Sequence, residues 1–144
     1  MDKTQLSESD ICDKFIRPAM EKAGWNGLDQ IFREYPLRAG RVVVRGNKAY
    51  RDKSTVLRAD YALFYKANIP LAVVEAKDNN QSVGAGMAQA INYAQLLDVP
   101  FSFSSNGDGF VFRDATMATG VLEQNISLKE FPSPAELWKR YCDW

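Results

Sequence analysis

The chain has 144 residues, 46% hydrophobic and 25% charged, with 18 basic against 18 acidic side chains and no histidine. That length supports one domain with its own core, and no apolar run approaches the ~20 residues that cross a bilayer. Without histidine there is no Ser-His-Asp or Cys-His nucleophile, no HExxH zinc site and no histidine base, so any chemistry rests on carboxylates, lysines, tyrosines, cysteines or a carboxylate-held metal.

The opening MDKTQLSESD has no apolar signal core, which points to the cytoplasm. In SESDICDKFIRPAMEKAGW, Ser7 and Asp10 form a capping box, and Ile11, Phe15, Ala19 and Ala23 recur at helical spacing. Pro18 is expected to kink or split that helix, and Gly24 to stop it. QIFREYPL (30–37) and RVVV (41–44) read as strands, and RGNKAYRDKST as a polar, basic loop. VLRADYALFY (56–65) and PLAVVEAK (70–77) read as two strands joined by a short turn. DNNQSVGAG is a loop, and residues 85–98 a helix with Met87, Ile91, Ala94 and Leu96 or Leu97 on one stripe. VPFSFSS and GFVFRD are strands meeting at the turn NGDG. Ser133, Pro134 and Glu136 start a final helix, WKRYCDW, that ends on aromatics. The order α-β-β-β-β-α-β-β-α predicts one mixed α/β domain over 1–144, a central sheet flanked by helices. Cys12 and Cys142 are isolated and read as reduced thiols.

Charge is uneven. Residues 33–66 carry nine Lys or Arg against Glu34, Asp52 and Asp60. A basic middle in a neutral chain points mildly to a polyanion, with solvated strand edges and loops as the plainer account.

The main puzzle is LAVVEAKDNNQ, a strand apolar enough to be buried that ends on Glu75, Ala76 and Lys77. Alternation puts Glu75 and Lys77 on one face. If strands 56–65 and 70–77 form a hairpin pivoting between Ala67 and Asn68, Asp60 faces Glu75 with Cβ atoms about 4.5–5.5 Å apart. Like charges so placed are destabilising, and a divalent cation is one reason to keep them. Lys77 could then hold or deprotonate a metal-bound water. The plainer alternative is a structural salt bridge from Glu75 to Lys77 or Arg58. Gln89 and Tyr93, four apart, share a helix face; without a role they would be a solvated Gln and a half-buried Tyr. GAGMAQ (84–89) after a strand suggests a dinucleotide loop, but Gln89 stands where the third glycine belongs.

Asp60, then Glu75-Ala76-Lys77, then Gln89-x-x-x-Tyr93 resembles the PD-(D/E)xK nuclease core with the Q-x-x-x-Y helix of its RecB-like branch. More closely, the stretch from RADYALFY to GDGFVF, with SESDICDKFIRPAMEKAGW before it and FPSPAELWKRY after, resembles the N-terminal nuclease domain of type I restriction enzyme R (HsdR) subunits. The resemblance implies a restriction-endonuclease-like α/β core that hydrolyses DNA phosphodiesters with Mg²⁺, Mn²⁺ being able to substitute. It implies Asp60, Glu75 and the Ala76 carbonyl as metal ligands, with Glu8 as a further acid there. Lys77 becomes the catalytic lysine, and Gln89 and Tyr93 support the site or touch DNA. Arg58, Arg45, Lys48, Arg51 and Lys53 would bind the backbone of double-stranded DNA, a contact without sequence information. Ala59 stands where the family's name has proline. The implied partners are the methyltransferase (M) and specificity (S) subunits and the R subunit's own ATP-driven helicase motor. No G-x-x-x-x-G-K-[ST] occurs here, so ATP would act only through a motor beyond this chain, which is expected to be part of a longer one. The rival readings are a catalytically silent DNA-binding or docking module, and an enzyme using Cys12 or Cys142 as nucleophile.

Overall fold

The computed structural model describes residues 2–38, 42–45, 48–51 and 57–144, with side chains over 2–37 and 57–144. The chain begins with a 3-10 turn (Lys3–Gln5) and α1 (Glu8–Ile11), where Ser7 and Asp10 close the expected capping box. Where one kinked helix is predicted, α1 passes through a π turn (Cys12–Ile16) into α2 (Arg17–Lys22). The cause is Pro18, which has no N–H to donate and whose ring crowds the carbonyl four residues back; a widened turn ahead of it relieves both.

The strands are β1 (Ile31–Arg38), β2 (Val42–Arg45), β3 (Lys48–Arg51), β4 (Leu57–Lys66), β5 (Ile69–Ala76), β6 (Phe101–Ser105), β7 (Phe110–Asp114) and β8 (Leu122–Ile126). Helix α3 (Met87–Leu97) lies between β5 and β6, and α4 (Pro134–Asp143) follows a 3-10 turn (Leu128–Glu130). Two strands correct the sequence reading. β3 forms inside the stretch taken as a loop and pairs antiparallel with β2 as a separate hairpin. β8 carries LEQNI, whose three central residues are exposed, so it shows no apolar alternation; it is a polar sheet edge.

The main sheet runs β1-β4-β5-β6-β7-β8. Only β5 and β6 are parallel, as a strand-helix-strand crossover through α3 requires. β5 is buried on both faces from Leu71 to Ala76, the pattern of a central strand. β1 is the other edge, where Pro36 removes no needed donor. The β4–β5 register is the expected one: Tyr61, Ala62 and Leu63 face Val74, Val73 and Ala72, with a local shift at Phe64 and Pro70. Asn68 turns the hairpin at φ 67°, a left-handed conformation asparagine tolerates.

Two cores cover the sheet. The larger packs Ile11, Ile16 and Met20 from the N-terminal helices and Leu137 of α4 against Tyr61, Leu63 and Phe103. Trp25 joins it and donates its indole N–H to the Pro132 carbonyl at 2.9 Å. The smaller packs Met87, Ala90, Tyr93 and Ala94 of α3 against Val73 and Ala59. Trp138 of α4 stacks on Tyr65 with centroids 4.3 Å apart, while Trp144 is largely exposed.

Candidate active site

The end of β5 is where the sheet gathers its acids. β4 carries Asp60 alongside, and the two carboxylates interlock through the main chain. Glu75 Oε2 accepts from the Asp60 amide at 2.7 Å, and Asp60 Oδ2 accepts from the Ala76 amide at 2.8 Å. Each carboxylate thus spends one oxygen on the neighbouring strand, which fixes its direction and leaves Asp60 Oδ1 and Glu75 Oε1. The hairpin register predicted from sequence produces this arrangement, and the expected Asp60–Glu75 juxtaposition holds.

Glu75 is 3% exposed. Burial first, then the Asp60 charge, pushes its carboxyl up to about 8, against the opposing Asp60 amide hydrogen bond and Lys77. Asp60 is also raised, by burial, although the Ala76 amide, Arg33 and Lys77 favour its charged form. Glu8 is raised by desolvation and by Asp60. Burial raises all three carboxyl groups, and the Asp60 charge adds to the rise of Glu75 and Glu8, a setting that a bound cation would relieve.

Lys77 is half-buried, its amide held by the Ser105 carbonyl at 2.9 Å. Its charge lowers the carboxyl groups of Glu75, Asp60 and Glu8. No ion pair within 4.0 Å joins Lys77 or Arg58 to Glu75 among the described residues, so the structural salt bridge weighed above is not formed there. Gly86 lets the start of α3 approach: a Cβ there would lie 3.1 Å from Ser104 Oγ and 3.3 Å from Glu75 Cβ. Ser104 secures the approach, accepting from the Gly86 amide at 3.0 Å and donating to the Val83 carbonyl at 2.7 Å. This accounts for a glycine in GAGMAQ without a dinucleotide.

A family model described as the type I restriction enzyme R protein N terminus (HSDR_N) matches residues 47–120, half of the chain. The chain belongs to that family. It is 54% identical over 142 residues to the Escherichia coli type I restriction enzyme EcoAI endonuclease subunit, a match spanning 98% of this chain and 17% of that protein. A solved fragment assigned to the HsdR subunit of a type I restriction enzyme from Vibrio vulnificus YJ016 superposes with a TM-score of 0.81. It is 40% identical, over 96% of this chain and 26% of that one, and it carries the same mixed-sheet fold. The expected resemblance to the N terminus of type I R subunits holds, and so does the mixed α/β fold.

Within this R-subunit domain the other predicted residues fall as follows. Gln89 Nε2 donates to the Tyr93 hydroxyl at 2.6 Å, so the pair is joined on α3. Gln89 is exposed, whereas Tyr93 is buried at 7% and packs in the smaller core, more enclosed than the half-buried ring of the no-role alternative. Ile91, expected on the packed stripe, is only half-buried, and Leu96 is exposed. Glu8 sits exposed in the first turn of α1, within electrostatic reach of Asp60. It does not join Asp60 and Glu75 at ligand distance: among the described residues no three His, Cys, Asp or Glu side chains form a metal cluster. Arg58 is exposed at the start of β4. Lys53 and the side chains of Arg45, Lys48 and Arg51 lie outside the described residues.

The sequence reading missed Arg33. From β1 its Nη1 donates to the Asp60 carbonyl at 3.2 Å and stands 3.7 Å from Asp60 Oδ1. Its guanidinium also lies 5.3 Å from the Tyr61 ring centroid. Cys12, the buried nucleophile candidate, has its thiol pushed by burial up to about 12, the reverse of activation.

Proposed function

We propose that this chain is a divalent-cation-dependent endonuclease domain of the PD-(D/E)xK type, cutting DNA without sequence preference as part of an R subunit. The observation that carries the reading is the Asp60–Glu75 interlock, which sets two crowded carboxylates beside Lys77 at the end of a buried strand. The donor set is all oxygen, which suits Mg²⁺ or Mn²⁺. Two carboxylates and a main-chain carbonyl leave room for the waters and phosphate oxygens that Mg²⁺ retains.

Asp60 and Glu75, with the Ala76 carbonyl, would hold the cation, and Glu8 would reach it through water. A bound Mg²⁺ supplies charge neutralisation at the scissile phosphate and a more acidic water. Lys77 orients the attacking water or meets the charge developing on the phosphate. Gln89 and Tyr93, held together, support the site from α3 or touch the DNA. Arg58 and the basic residues 45–53 meet the phosphate backbone, which positions without specifying.

The chain spans 17% of its E. coli relative, so the remaining roles belong to the assembly. Those are the ATP-driven motor, the M and S subunits, delivery of double-stranded DNA and a place in the cytoplasm. A docking module of the same fold would give no reason for the crowded acid pair.

The test is a calorimetric titration of the chain with Mn²⁺ and Mg²⁺, beside Asp60→Ala and Glu75→Ala. Saturable binding, lost in both variants, is the expected result. A wild-type chain that binds neither cation, with or without duplex DNA, would overturn the proposal.

A further inference from the structure

The oxygen of Asp60 best placed to take a cation already has a neighbour. Oδ2 is committed to the Ala76 amide, leaving Oδ1, and Arg33 Nη1 stands 3.7 Å from it. That distance makes an ion pair but not a hydrogen bond. The hydrogen bond of Nη1 goes to the Asp60 carbonyl at 3.2 Å, and the guanidinium rests against Tyr61. Arg33 is therefore anchored independently of the carboxylate it neutralises.

The local backbone is unusual as well. The β1–β4 ladder pairs Arg33 with Tyr61 and Tyr35 with Ala59, but skips Glu34 and Asp60. Glu34 there has φ 53°, a left-handed conformation that a glutamate adopts at a cost. Arg33 pairs with Tyr61, so regular alternation would carry its side chain toward the Tyr61 side and away from Asp60. The long side chain nevertheless serves both, with Nη1 on the Asp60 carbonyl and the guanidinium beside the Tyr61 ring.

We infer that Arg33 is the resident counter-ion of Asp60, a positioning residue that holds the carboxylate until a divalent cation takes Oδ1. The inference rests on the nuclease reading above. The independent anchors let Arg33 yield the carboxylate and remain in place as a fixed positive charge. Cation binding by the DNA-free domain is thereby kept weak. The cation gains most when an anionic phosphate arrives to share the Arg33 charge, which couples cation to phosphate.

The deciding experiment is a Mn²⁺ titration of Arg33→Gln, Arg33→Lys and the wild-type chain, without DNA, at low and high salt. Arg33→Gln should bind Mn²⁺ more tightly, on the order of tenfold at low salt, with the difference shrinking as salt screens it. Arg33→Lys, which keeps the charge, should bind within about twofold of wild type by the same charge argument. A variant that merely loosened the fold would bind more weakly, so a gain in affinity separates the two roles. Thermal melts confirm folding, and Arg33→Met, an unbranched neutral side chain, carries the same expectation should Arg33→Gln not fold. If wild type binds Mn²⁺ and the neutral variants bind it equally or less well, the Arg33 inference is overturned while the metal site stands. If wild type binds none, the nuclease reading fails and this inference with it.

Discussion

Replacing Glu75 by glutamine should change how the stability of the cation-free protein depends on pH. The substitution keeps an oxygen to accept from the Asp60 amide and removes the ionisation. In the folded chain the Glu75 carboxyl is raised from 4.5 to about 8, whereas the unfolded chain ionises it near 4.3. Between those values the folded state holds the extra proton, so stability falls as pH rises. The contribution is complete below about pH 4 and is lost progressively through pH 8. From pH 5 to pH 8 the linkage integral amounts to about 3 kcal/mol. Asp60 and Glu8 drift in the same direction but remain in both proteins, so the difference between wild type and Glu75→Gln reports Glu75 together with its coupling to them. Urea denaturation in chelator, from pH 5 to 8.5, reads it directly. Wild type should lose ground to the variant by about that amount, and saturating Mn²⁺ should recover much of the loss by binding the ionised form. Curves that stay parallel across the range would show that Glu75 is not a carboxyl held against its charge.

Three further outcomes test the surroundings of the site. Asp114 is fully buried, with Arg140 Nη1 at 2.8 Å, so Arg140→Ala strands a buried charge and should cost about 2–4 kcal/mol in urea denaturation. Ser104→Ala orphans the Gly86 amide and the Val83 carbonyl; it should cost about 1–3 kcal/mol, with faster amide exchange confined to the start of α3. Gly86→Ala brings a methyl 3.3 Å from Glu75 Cβ, so Mn²⁺ affinity should drop in calorimetry by more than the stability loss of about 1–2 kcal/mol accounts for.

The β4–β5 hairpin was legible because its signals agree. Two apolar strands with a short turn between them admit one register that buries both, and that register alone places Asp60 against Glu75. Arg33 was not legible. It lies 27 residues before Asp60 and meets it only through β1–β4 pairing, which no local pattern announces. β8 escaped because a polar edge strand needs no alternation, and β3 because KAYR has the composition of a loop. Tyr93 shows the limit of helical-wheel reasoning. Spacing put it on one face with Gln89, yet the ring lies in the α3 core with its hydroxyl satisfied by Gln89.

Arg38 and Leu57 are partners across β1 and β4. Between those two partners in the sequence lies an excursion, of which the β2–β3 hairpin is the described part. An excursion whose ends already meet can change length or charge with little cost to the sheet, since loop closure grows only slowly with length. Most of the basic candidates for holding DNA, Arg45, Lys48, Arg51 and Lys53, are carried on it, while the acids are built into the strands on either side of the hairpin turn. On the proposed nuclease reading, grip and cutting chemistry are separable parts, and one could be exchanged between relatives without rebuilding the other.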